Sequence, residues 1–300
     1  MVDRGGLRGV APPGQHGGLA AQIESGAGAA VRELRQIGGG HGALHYRVVL
    51  ADGREAFIKS VRAASGSPAL AAEAHGLRWL GEAAGAPVPE IILMSENLLA
   101  CRWLPEAGPD RAAAERFGRE LAVLHGAGAD SFGAPWPGYI ASLPLPNDRE
   151  DSWPSWYARH RLQPYCRIGR DAGTLGPADV ALIESVTDRI GDLSGPAEPP
   201  SRIHGDCWTG NVLWSGGRGW LIDPAAHGGH RETDLAMLAL FGAPYLDRIL
   251  AAYQETAPLA GGWRARVPLH QLHPLLVHVC LFGSGYREAT LAAARAALSG

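Results

Sequence analysis

The stretch 204–224, HGDCWTGNVLWSGGRGWLIDP, places a carboxylate at Asp206, a carboxamide at Asn211 and a second carboxylate at Asp223. Transfer of a phosphoryl group from ATP asks for this set. One carboxylate lies beside the attacking hydroxyl, an amide follows within the same loop, and another carboxylate comes from the next strand to hold Mg2+. That small, hard cation takes oxygen ligands and keeps several waters, so one amide oxygen, one carboxylate and the nucleotide phosphates suffice. The bland alternative makes Asp206 and Asn211 loop caps and Asp223 a turn former. The whole pattern, H-G-D-x4-N followed by an apolar hairpin and Asp-Pro, is more specific than its pieces.

Short elements must position these side chains. Gly205 allows a tight turn, and Val212-Leu213-Trp214 and Trp220-Leu221-Ile222 read as apolar strands joined through 215–219. A hairpin of that kind brings Asn211 and Asp223 together. A second hairpin is expected upstream, where Arg47-Val48-Val49-Leu50 and Glu55-Ala56-Phe57-Ile58-Lys59 flank Ala51-Asp52-Gly53-Arg54. Lys59 should end its second strand. Of 27 basic side chains Lys59 is the one lysine, so a compact ammonium charge is expected to be needed there.

Ser67-Pro68 should open a helix in which Leu70, Glu73, Leu77 and Leu80 share one face. A carboxylate on an inward stripe needs a partner. Lys59 is the expected one, in the Lys–Glu pair that orients a lysine toward nucleotide phosphates. Gly38, Gly39, Gly40 and Gly42 precede the first hairpin strand and could let backbone amides approach phosphate. With 41 glycines in 300 residues, that run alone says little.

From about residue 20 to about residue 296 the sequence resembles the fructosamine (ketosamine) kinases, within the aminoglycoside phosphotransferase-like branch of the protein-kinase fold. The marks are GGGHGALHYRVVLADGREAFIKS, AAEAHGLRWLGEAAGAPVPE, FGRELAVLH, DSWPSWYARHRLQPY, HGDCWTGNVLW, LIDPAAHGGHRETDLAMLALFG and FGSGYRE. Sugar and aminoglycoside kinases in general share H-G-D-x4-N. DPA with G-H-R-E-x-D-L-A-M, the R-L-Q-P segment and the late F-G-x-G-Y point to the ketosamine kinases.

The resemblance implies an α+β, two-lobed protein-kinase-like fold with a small β-rich N-lobe, one crossing helix and a larger, mainly helical C-lobe. Asp206 would be the catalytic base, Asn211 and Asp223 the Mg2+ ligands, and Lys59 with Glu73, Gly39 and Gly40 the nucleotide-phosphate side. Adenine would lie along Ala100-Cys101-Arg102-Trp103, with Cys101 and Trp103 as its neighbours. Asp234, opening the apolar run Leu235-Ala236-Met237-Leu238, would anchor the catalytic loop. The hydroxyl phosphorylated would be on C3 of a ketosamine, free or on a glycated protein side chain, and the labile 3-phosphate would shed its amine. Two departures stand out. Cys280 occupies a position where many members carry asparagine, and the glycine loop has no cysteine for a disulfide switch.

For the acceptor, Trp153, Trp156, Tyr157 and Arg161 fall at helical spacing, and His278, Phe282 and Tyr286 recur at four-residue steps. Aromatic faces suit sugar C–H surfaces and ligand cations, although such a stripe is equally at home in a core. Cys207 beside Asp206 lacks a base and oxyanion-hole pattern, so packing is the expectation. The H-x-x-H of His227 and His230 has the look of metal ligation, but without a third ligand nearby turn or loop histidines are the expectation.

The expected organisation is a tail over 1–16, a nucleotide-binding lobe over 17–103 and a catalytic lobe over 104–300. Phe117, Leu121 and Leu124 mark one helix of the larger lobe, and Val180, Ile183 and Ile190 another. Pro/Gly-rich stretches at 133–146 and 194–200 read as loops, and no internal repeat appears. A net charge of −3 argues against nucleic acid, and 46% hydrophobic content is ample for a core. No run of about 18 apolar residues predicts a membrane span. The N-terminus lacks an apolar signal region, and Cys101, Cys166, Cys207 and Cys280 form no C-x-x-C. A cytoplasmic monomer with reduced thiols is the expectation. Two rivals remain: an aminoglycoside or other small-alcohol phosphotransferase, and a non-catalytic nucleotide-binding protein of the same fold.

Overall fold

A computed structural model describes residues 13–40, 42–61 and 67–300. Residues 1–12 of the expected tail and His41 of the glycine run lie outside the described residues. Helix α1 (Pro13–Ala27) begins inside the segment expected as a tail.

The chain divides into two compact units, 1–67 with 90–103, and 68–89 with 104–300. In the first, β1 (Val31–Gly40), β2 (Ala43–Leu50), β3 (Glu55–Val61), β4 (Ile91–Ser95) and β5 (Leu98–Arg102) form an antiparallel sheet in the order β1-β2-β3-β5-β4. Period-two alternation sends Tyr46, Val48, Leu50, Ala56 and Ile58 to one face, where Ile23 of α1 covers them. The β2–β3 turn falls where Asp-Gly places it. Gly53 takes φ +86°, and Asp52 accepts from the Arg54 N–H at 3.0 Å. Lys59, pairing with His45 and Leu99, points away from the face of Ile58. It does not end the strand: Ser60 still pairs with Leu44 and Leu98, carrying β3 to Val61.

The second unit opens with α2 (Pro68–Gly81), whose Leu70, Leu77 and Leu80 are buried while Glu73 keeps part of its surface. Gly76 lets α2 lie close to Pro224 and Ala226, the two residues a Cβ there would touch at 3.2 Å. Asp110 caps α3 (Arg111–Gly126) through the Ala113 N–H at 2.7 Å. The stretch expected as a loop over 133–146 contains a small hairpin, β6 (Gly138–Ile140) and β7 (Leu143–Leu145), turned at Ala141 with φ 51°.

A continuous helical run follows: α4 (Trp153–Tyr157), a π-turn (Ala158–Leu162) and α5 (Gln163–Asp171). Pro164 has no N–H to offer the ladder, and the amide before it, Gln163, reaches back five residues to Ala158 O. The apolar positions Val180, Ile183 and Ile190 divide between α6 (Pro177–Asp188) and the short α7 (Ile190–Leu193), because the chain turns at Arg189. Strands β8 (Ser201–Ile203), β9 (Val212–Ser215), β10 (Arg218–Leu221) and β11 (His227–Gly229) pair as β9–β10 and β8–β11. Then come α8 (Glu232–Leu240), α9 (Leu246–Thr256), α10 (Trp263–Phe282) and α11 (Arg287–Ser299). Among the described residues no helix is long and apolar enough to cross a membrane.

Candidate active site

The candidate catalytic loop leaves β8 at Ile203 and enters β9 at Val212. Gly205 takes φ +79°, and a Cβ there would collide with Ala225 O, so the tight turn needs glycine on both counts. Asp234, near the start of α8 and fully buried, receives the two amides that open the loop. His204 N donates to Oδ2 at 2.7 Å and Gly205 N to Oδ1 at 2.9 Å. His125 Nε2 lies 3.1 Å from Oδ2, and its Nδ1 lies 2.9 Å from the Tyr253 hydroxyl. Burial alone would raise Asp234, but the His125 bond and the loop amide hold it below the usual carboxylate range.

His204 ties the loop to the chain leaving β10. Its Nε2 lies 2.9 Å from the carbonyl of Ile222, and Asp206 N donates to its Nδ1 at 3.2 Å. Those partners fix the neutral tautomer protonated at Nε2. Burial pushes its pKa down in agreement.

Asn211 donates through Nδ2 to Asp206 O at 2.9 Å and to Asp206 Oδ2 at 2.8 Å. With Nδ2 so used, Oδ1 is the amide atom left for a cation. Ile222 N donates to Asn211 O at 3.0 Å, so Asp223 follows directly beside Asn211. Asp223 itself sits in the left-handed region at φ 52° immediately before Pro224, an uncommon conformation of the kind that clusters at functional sites. Burial pushes Asp206 up to about 8 against the Asn211 hydrogen bond, with the charges of Asp223 and Asp234 adding to the rise. Three carboxylates gathered in this way favour a cation. The oxygens of Asn211 and Asp223 form the hard donor set that Mg2+ takes, so the residues present fit that ion.

Lys59, Gly39, Gly40, Cys101 and Trp103 belong to the first unit. Gly39 and Gly40 are exposed at the end of β1, and a Cβ on Gly39 would crowd Ala43 O at 2.7 Å. Cys101 is buried on β5 opposite Phe57, and Trp103 N donates to Glu55 O at 3.0 Å beneath the Arg47 guanidinium. Glu73, on α2, belongs to the second unit with Asp206, Asn211, Asp223 and Asp234.

The aromatic residues expected on the acceptor side separate into two groups. Trp153, Trp156, Tyr157 and Arg161 are at most 4% exposed, because their helical spacing turns them toward α10. The Tyr157 hydroxyl donates to Leu269 O at 3.1 Å, and Trp156 Nε1 to Asp148 O at 2.9 Å. Arg161, inside the π-turn, donates to Pro146 O and Asn147 Oδ1 and lies 4.2 Å over the Trp156 ring. Burial pushes its pKa down to about 9. With Gly205, His227 and His230 these four line a small cavity of about 10 Å³ beside the start of the loop. His278 and Tyr286, the second group, keep part of their surface, their ring centres 4.7 Å apart and their planes tilted by 52°.

His227 and His230 go separate ways, His227 Nδ1 to Ala225 O at 2.7 Å and His230 toward Glu232 and His270. Glu232 is held by Arg266 through Nε at 2.9 Å and Nη2 at 2.5 Å. Cys207 is fully buried, which pushes its thiol well above the ordinary value. Sequence reasoning missed His125 and Tyr253. The one available signal was a histidine at the end of the FGRELAVLH stripe, whose core face is otherwise apolar. A cavity of about 510 Å³ lined by Trp79, Trp136, Arg149 and Arg202 shares no residue with the catalytic loop.

The fructosamine kinase family model matches residues 18–299. A solved structure from Thermobifida fusca YX-ER1, provisionally described as a fructosamine-3-kinase, superposes with a TM-score of 0.92. The two are 53% identical over 94% of this chain and 99% of that one. A provisionally assigned ketoamine kinase of Synechocystis sp. is 30% identical over 264 residues, 86% of this chain and 88% of the relative. An ADP-bound aminoglycoside phosphotransferase, 16% identical with a TM-score of 0.64 over 96% of this chain and 97% of its own, shares the fold. Fold and site together define an α+β phosphotransferase of the protein-kinase-like group, acting on hydroxyl groups. Within that class the chain belongs to the fructosamine kinase family.

Proposed function

We propose that this protein transfers the γ-phosphoryl group of MgATP to a hydroxyl of a ketosamine, free or carried on a glycated protein side chain. The observation that carries the reading is the Asp206–Asn211 pair on a loop whose first two amides are held by Asp234. Asp206 accepts the proton of the acceptor hydroxyl as its oxygen bonds to the γ-phosphorus and the bridging P–O bond breaks to release ADP. Mg2+ held by Asn211 Oδ1 and Asp223 would offset negative charge on the phosphate oxygens. Asn211 aims the Asp206 carboxylate through its 2.8 Å hydrogen bond.

On this reading residues 17–103 supply the nucleotide side. Lys59 and Glu73 position the phosphates, Gly39 and Gly40 give backbone room, and Cys101 and Trp103 flank the adenine. Family membership favours C3 as the hydroxyl and a labile phosphate that sheds its amine. A phosphorylation assay with MgATP over ribulosamines, fructosamines and aminoglycosides tests it. Turnover should be confined to the ketosamines, and Asp206→Asn should lower kcat by about 10²- to 10⁴-fold. Turnover on aminoglycosides alone would reject the acceptor assignment. Nucleotide binding without turnover on any acceptor would reject catalysis.

A further inference from the structure

A chain of rings runs outward from the catalytic loop within the second unit. Trp208, two residues past Asp206, lies against Gly210, where a Cβ would meet its indole. Its ring stands 5.8 Å, edge on, from Phe241 at the end of α8. Phe241 lies 5.1 Å from His278 on α10, and His278 lies 5.5 Å from Phe282 and 4.7 Å from Tyr286. The outer end is open, since Phe282 is 56% exposed where α10 stops at Gly283 with φ +77°. His278 Nδ1 lies 2.7 Å from Pro274 O, which leaves Nε2 as a lone-pair acceptor. Burial pushes the ring's pKa down, so it is neutral near pH 7.

Phosphoryl transfer to a sugar hydroxyl needs positioning at the loop alone. It gives no reason for an apolar path continuing past the sugar to an exposed phenyl ring. The ketosamine nitrogen does. It is a secondary ammonium beside the sugar, and aromatic faces with a neutral imidazole nitrogen attract such a cation. The substituent beyond it is an alkyl chain when the amine was a lysine side chain, and alkyl surface gains by leaving water along Phe241 and Phe282.

Resting on the reading under Proposed function, we propose that Trp208, Phe241, His278, Phe282 and Tyr286 form a subsite for the amine-side substituent of the acceptor. This subsite selects ketosamines whose nitrogen bears an extended alkyl chain. The test compares kcat/KM for the fructosamines of butylamine and methylamine. The wild-type ratio should favour butyl by at least about tenfold, the share of even one methylene in an apolar site. Phe282→Ala should bring the ratio close to one, Phe282→Leu should restore most of it, and Ile168→Ala, on α5, should leave it as in the wild type.

A ratio near one in the wild type, or one that Phe282→Ala leaves unchanged while both acceptors turn over, overturns the subsite. Sedimentation in parallel covers the other occupant. A dimer that Phe282→Ala dissolves without moving the ratio would give this face to a second copy of the chain and overturn the subsite too. Turnover on neither ketosamine, with another alcohol accepted, is a separate outcome that rejects the parent reading and takes this one with it.

Discussion

At the scale of single residues, the Asp234 carboxylate holds the start of the proposed catalytic loop through two backbone amides. It is buried and accepts two backbone N–H groups and a bond from His125. Removing it leaves those donors unsatisfied in a dry interior, at a cost of about 1–3 kcal/mol for each stranded group. Asp234→Ala should therefore lose about 3 kcal/mol or more of stability in urea melts and show a fall in kcat even where the protein is fully folded. An unchanged kcat would separate the loop's geometry from Asp234. Asp206, Asn211 and Asp223 were legible in the sequence because the loop and hairpin that join them are short. His125 and Tyr253 were not, since His125 meets Asp234 and Tyr253 across separations of 109 and 128 residues that no local pattern records.

At the scale of elements, glycine sets how closely α3 and α9 cross. A Cβ on Gly118 would run into the backbone carbonyl of Ile249, which cannot swing aside as a side chain can. Gly118→Ala should thus destabilise by about 1–3 kcal/mol through overpacking, although alanine in a free helix gains up to about 1 kcal/mol over glycine. A lower urea midpoint at constant slope checks it, and a rise would show that the helices can separate. The apolar stripe of Phe117, Leu121 and Leu124 revealed α3 from sequence. The role of Gly118 required α9 to be in place. The π-turn likewise had one local sign, Pro164.

At the scale of the molecule, the β2–β3 and β9–β10 hairpins and helices such as α2, α3 and α6 were legible from period and turn chemistry, whereas β6–β7 read as a loop and the start of α1 as a tail. The grouping of α2 with residues 104–300 was not, because it rests on Gly76 meeting Pro224 and Ala226. Elsewhere in the second unit, packing around Trp153, Trp156 and Tyr157 gathers histidines in the interior. Burial pushes His227, His230, His270 and His273 down, His230 to about 3. In the unfolded chain each titrates near 6.5, so below that pH the unfolded state binds more protons and stability falls as pH falls. The loss should begin near pH 6.5 and approach about 1.4 kcal/mol per pH unit for each histidine. Melting temperatures between about pH 8 and about pH 5 should drop on the acid side, and a flat profile would place these rings in contact with water. The single lysine on β3 has a consequence of its own. Reducing sugars condense with ε-amines, and guanidinium groups replace them at every other basic position. A member of the fructosamine kinase family thus carries a single lysine ε-amine open to that reaction. After long incubation with ribose, its lysine adducts should be confined to one peptide.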